Sequence, residues 1–164
     1  MSIHNIIAGY NPLVPASPTF HLACRTRHSV GPYRDAHEIS GEPPTHLLLT
    51  SRSDSLRLTL DADTLALTAA ATPGIWHYFR LADATLKPLP PDPDPIPFAA
   101  GDTYIAFTPG ARRIADSPAI ARFLHLRDDF NAEKLADALL DHLVELAGLA
   151  KWPADVTVLV VEAR

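Results

Sequence analysis

The carboxylates best placed to do chemistry stand beside turns or strand ends: Asp35, Glu38, Asp54, Asp102 and Asp155. Hard divalent cations take several oxygen ligands at once. Neighbouring side chains on a strand point to opposite faces, so an acid displaced by one residue usually misses a ligand set. The histidines at 28, 37 and 46 raise the question of zinc, yet their spacing fits no known ligand pattern and places them on different strands or turns. No GxSxG, Walker loop, HExxH or GxGxxG occurs to support another catalytic class. Cys24 is the single cysteine, which excludes an intrachain disulfide and a pair of metal-binding thiols; its apolar surroundings suit a core residue. Basic residues are scattered, with Arg112-Arg113 the adjacent pair.

The elements that would position these groups are mostly short strands. Gly101-Asp102 turns into Thr103-Tyr104-Ile105-Ala106-Phe107, and Pro109-Gly110 ends the run, which describes a buried strand opening onto a loop. Residues 20–27 alternate as a first strand, and 46–51 read as a short buried strand. Leu56, Leu58 and Leu60, then Leu65 and Leu67 across the polar turn 61–63, predict a hairpin. A second hairpin, 75–80 with 84–87, carries Trp76, Tyr78 and Phe79 as packing residues. Residues 89–97 hold prolines at nearly every second position and read as an extended connector. Ser117-Pro118 starts a short helix as cap and first-turn proline. Asn131 caps a longer helix with Leu135, Leu139, Leu143 and Leu146 on one face, which Gly148 ends. Residues 155–161 form the last strand. Pro12, Pro15 and Pro18 make residues 1–19 an extended arm, leaving 20–164 as one domain.

The chain has 164 residues, 47% of them apolar and 20% charged, enough for one domain to bury its own core. Its 16 prolines are roughly twice the ordinary share of about 5%, as short strands joined by proline-bearing loops would produce. A formal net charge of −5 argues against nucleic-acid or anionic-membrane surfaces, which are bound by clustered Lys and Arg. No segment reaches the roughly 18 apolar residues of a membrane span, and the first residues lack the charged region of a signal peptide, so a cytoplasmic location is expected.

Residues 101–110, read with Pro153-Ala154-Asp155-Val156-Thr157-Val158-Leu159-Val160-Val161, resemble the last third of a PPM/PP2C-type serine/threonine phosphatase domain of the bacterial SpoIIE/RsbU branch. In that family these segments run roughly GDTLLLYTDG and DDVTLLVV. Residues 28–39 resemble its VGGDYYDVFEL, and 46–52 its LLLVIGDVSG. The resemblance implies an α+β fold of two packed antiparallel β-sheets, a PP2C-like sandwich with C-terminal helices on one face. The family's first helix pair is deleted, since Ser53-Asp54 passes straight into the hairpin.

The family holds two Mn or Mg ions with aspartates, and the ions activate the water that attacks the phosphate. The resemblance places Tyr33 (or Pro32), Arg52 (or Ser51), Pro109 and Ala154 where those aspartates stand. No catalytic residue, metal ligand or cofactor is therefore expected, and the reading is a pseudophosphatase that works as a binding, scaffold or regulatory module. The alternative is an active phosphatase with altered metal ligands, for which Asp155 is the nearest residual acid, although it also matches the family's second, structural aspartate. A third reading has Arg52 and Arg112 replacing the ions and holding a phosphate-bearing ligand, against the plainer one of surface ion pairs. The missing helix pair would open the sheet face formed by strands 33–40, 46–52 and 55–70. If that face is apolar, a homodimer or a folded-back arm would cover it, and the dimer is the expectation; a regulatory protein is the other partner.

Overall fold

The computed structural model describes residues 20–27, 34–39, 46–51, 53–61, 64–83, 85–126, 131–148 and 155–163. The arm 1–19 and the positions Tyr33, Arg52 and Ala154 lie outside them. The strands are β1 (Phe20–Arg27), β2 (Arg34–Ile39), β3 (His46–Ser51), β4 (Asp54–Asp61), β5 (Ala66–Ala71), β6 (Trp76–Arg80), β7 (Leu86–Pro88), β8 (Ile96–Pro97), β9 (Thr103–Phe107) and β10 (Val156–Ala163). A 3-10 turn, Pro109–Arg113, and the helices α1 (Ser117–His125) and α2 (Ala132–Ala147) stand between β9 and β10. One sheet has the order β2-β1-β10-β9-β6-β7 and the other β3-β4-β5-β8, with every described pairing antiparallel.

Alternation sorts each strand between two cores. Leu22 and Cys24 of β1, Phe79 of β6, Tyr104 of β9 and Val161 of β10 point between the sheets, where they meet Leu56, Leu58, Leu67 and Ala69. Phe98 fills this layer, its ring 5.2 Å from Phe20 and 5.4 Å from Phe79. The opposite face of the large sheet carries Ile105, Phe107, Val158 and Val160, covered by Ile120 and Leu124 of α1 and Leu135, Leu139 and Leu143 of α2. Arg25 lies on that face, buried, and its Nε donates to Asp137 Oδ1 at 3.0 Å, tying α2 to β1. The Asn131 side chain accepts from Lys134 N at 2.9 Å and caps α2 as its sequence predicts.

Several expectations are corrected. Leu146 is 44% exposed, because the buried stripe of α2 turns through Ala136 and Leu140 instead. The cap of α1 is Asp116, whose side chain accepts from Ala119 N at 2.9 Å. Ser117 is thereby released to bond Tyr78. The strand predicted at 33–40 is β2 and pairs with β1 in the large sheet, so it does not share a face with β3–β5. On β4 and β5 the outward residues are Arg57, Thr59, Thr68 and Ala70, polar or small, so the condition set for covering that face, an apolar surface, is not met on these two strands.

The proline-rich segment is a connector between sheets. It leaves β7 in the large sheet and joins β5 in the small one through β8, a two-residue strand where only a loop was expected. Leu89 N donates to His77 O at 2.9 Å, and Ala71 N donates to Pro91 O at 2.7 Å, so its carbonyls serve as acceptors where the prolines lack donors.

Candidate functional site

The registers bring the segments singled out in the sequence to one rim of the sandwich. Arg27 at the end of β1 lies opposite Val156 at the start of β10 and Arg34 at the start of β2. Phe107 at the end of β9 lies opposite Val158 and Trp76. In the small sheet Ser51 lies opposite Asp54, and Leu56 opposite Ala71, from which the chain crosses to β6. The rim therefore collects the start of β2, the β3–β4 turn, the β5–β6 link, the 3-10 turn and the start of β10.

Pro109 opens the 3-10 turn. The preceding Thr108 is locked to β10: its N–H donates to Thr157 O at 3.1 Å, and Thr157 N donates to its hydroxyl at 2.8 Å. Gly110 then passes so close to the Asp155 carbonyl that a Cβ would overlap it. Positions 109 and 155, 46 residues apart in the sequence, are thus neighbours on the rim. Across it, Asp54 Oδ1 accepts from the Thr72 hydroxyl at 2.7 Å, and that hydroxyl accepts from Ser55 N at 3.0 Å. Gly74 packs on the Asp54 carboxylate, leaving no room for a side chain. Asp102 is at the opposite rim and is structural, its two oxygens accepting from Ala82 N and Ala99 N at 3.0 and 2.9 Å.

Among the described residues, the side chains on this rim supply few ligands for a two-cation centre. Pro109 offers no side-chain donor, and an oxygen of Asp54 already receives the Thr72 hydroxyl. Among the described residues no three His, Cys, Asp or Glu side chains gather closely enough to hold a metal ion. Arg112 leaves the rim for a neighbouring cleft. Its guanidinium lies over the Trp76 ring, 5.1 Å from the centroid, and Nη2 donates to Pro73 O. The cleft has a volume of about 200 Å³ and is walled by Trp76, Leu89, Pro91 and Arg112, with Tyr78 and Ser117 bonded to one another at 2.7 Å.

No family model and no curated protein matches this sequence. Solved structures do. The PP2C domain of SiaA from Pseudomonas aeruginosa superposes with a TM-score of 0.59 at 20% identity over 66% of this chain and 51% of that one. The phosphatase domain of SpoIIE from Bacillus subtilis gives 0.57 at 13% identity over 67% and 55%. The chain has the PP2C-type phosphatase fold. PppA of P. aeruginosa, a regulatory component of its T6SS, gives 0.51 at 12% identity over 68% and 57%. The chain spans about half the length of these matched structures. Within this PP2C frame the GDT strand and the DVTVLVV strand pair directly, as β9 and β10.

Sequence reasoning missed His77. It is buried between the sheets, with Nε2 2.6 Å from Pro90 O and Nδ1 3.0 Å from the Tyr104 hydroxyl. A carbonyl can only accept, so Nε2 carries the proton and Tyr104 donates to Nδ1. Burial lowers the His77 pKa below its ordinary 6.5, outweighing the Pro90 hydrogen bond. The unfolded imidazole binds a proton as pH falls through about 6.5 while the folded one resists, so His77 contributes stability above that pH and loses it as pH falls toward the depressed folded value. The urea midpoint is expected to drop more steeply between about pH 7 and about pH 5 in the native protein than in H77F, which lacks the titrating group. Equal slopes would reject this role.

Proposed function

We propose that this domain is a PP2C-fold module that acts by binding rather than by hydrolysing phosphate. Pro109 carries the reading: it starts the 3-10 turn beside the Asp155 backbone, on the rim where the fold's relatives are expected to present an aspartate. Arg52, Tyr33 and Ala154 support it by residue type, since a guanidinium, a phenol and a methyl group cannot replace carboxylates around a dication. The second reading is an active phosphatase with a changed metal set. It draws on Asp54 and Asp155, both on this rim. Incubating the protein with manganese or magnesium and an aryl phosphate separates the two. No product above blank is expected, and turnover abolished by EDTA and by D54N or D155N would overturn the binding reading.

Self-association through the small sheet, or engagement of a regulatory protein, is the use proposed for such a module. The polar outer residues of β4 and β5 favour a partner held by hydrogen bonds and charge over an apolar dimer seam. Solution mass tests the dimer, and a single-chain mass would reject it. No described helix is long and apolar enough to cross a membrane.

A further inference from the structure

The cleft beside Arg112 uses none of the positions weighed for metal binding, so its ligand is independent of whether the rim is catalytic. Among the described residues Arg112 is its one charged wall residue, and no carboxylate lines it. The guanidinium lies over the Trp76 ring and is tethered by the Pro73 carbonyl. That uses one of its five N–H donors, and the others take no acceptor among the described residues. A fork already fixed in this way loses little freedom on meeting a planar or tetrahedral oxyanion, and two parallel N–H donors match such a group. Tyr78 and Ser117 add to this: two hydroxyls share a single hydrogen bond, so one O–H remains to donate. The other walls, Leu89 and Pro91, are apolar. The volume of about 200 Å³ accommodates a ring with one charged substituent.

We infer that this cleft binds a small aryl oxyanion, with its charged group on Arg112 and the Tyr78–Ser117 hydroxyls and its ring against Leu89 and Pro91. Titrating the full chain with phenylphosphonate, benzoate, inorganic phosphate and benzyl alcohol, followed by Trp fluorescence and by the indole N–H resonance of Trp76, tests it. Saturable binding of phenylphosphonate or benzoate at millimolar concentration is expected, and the tighter of the two identifies the oxyanion as phosphorus-based or carboxylate. R112Q should weaken binding by about tenfold or more and S117A by about threefold. R112K keeps the charge without the fork and should also bind more weakly, which preserves the test if R112Q does not fold. Benzyl alcohol or inorganic phosphate binding as tightly as the aryl oxyanions would overturn the inference, as would absent saturation or unchanged affinity in folded R112Q. Because phenylphosphonate cannot be hydrolysed, this result is separate from that of the aryl phosphate assay.

Discussion

Phe79→Ala is expected to lower stability by about 3–5 kcal/mol, the range for emptying a large aromatic site in a packed core. Phe79 is 2% exposed and stands on β6 between the two sheets, in contact with the Phe98 ring on the segment returning from the small sheet. Its loss opens a cavity in a layer walled largely by strands held by ladder bonds, which cannot collapse freely to fill it. Phe79→Leu retains much of the volume and should cost less than half as much. Urea unfolding checks both, with a shift in midpoint at constant slope as the signature. An alanine variant within about 1 kcal/mol of the native protein would mean that the sheets are not packed through this residue.

The second large effect is expected at Asp102, which is 5% exposed. Its carboxylate satisfies Ala82 N and Ala99 N, and its own N–H donates to Ala99 O at 3.0 Å, so the side chain closes its own turn and ties it to the turn at Ala82. Asp102→Ala removes the acceptor from both amides. Both belong to exposed residues, so water takes over part of the lost bonding, and a loss of about 1–3 kcal/mol is expected, the range for hydrogen bonds to a charged group. Asp102→Asn discriminates between shape and hydrogen bonding: its amide nitrogen would face one of the two donors, so it should recover less than half of the loss. Full recovery by asparagine would show that packing, and not the paired acceptors, is what the turn requires.

Most elements were legible because they are local. The alternation of Leu56, Leu58 and Leu60 and the capped start of α2 with Leu135, Leu139 and Leu143 can be read from consecutive residues, and both occur where periodicity placed them, Leu146 excepted. Sheet membership was less so. The strand at 34–39 has the same kind of pattern whichever sheet it joins, and only its pairing to β1 decides the matter. The Arg112 cleft was harder still. Pro73, Trp76, Tyr78 and Ser117 come from separate segments, and Trp76 and Tyr78 read as ordinary packing residues until the register set one under a guanidinium and the other against a hydroxyl. His77 carried no signal, since a histidine in an apolar strand looks alike whether it is a ligand, a base or a fixed neutral link. The rim was legible through likeness of motifs, and the pairing of β9 with β10 is the part the described residues support directly.

The place of β10 between β1 and β9 has a consequence for how the chain comes to be folded. Without it, β2-β1 on one side and β9-β6-β7 on the other share no ladder, so the large sheet remains two unjoined fragments until residues 156–163 arrive. On the ribosome, the first strands would leave the exit tunnel with their central partner still unmade and their apolar faces uncovered. Such a chain gains its cooperativity only once residues 156–163 have been made, and a nascent form stalled before Val156 is a natural client for chaperones.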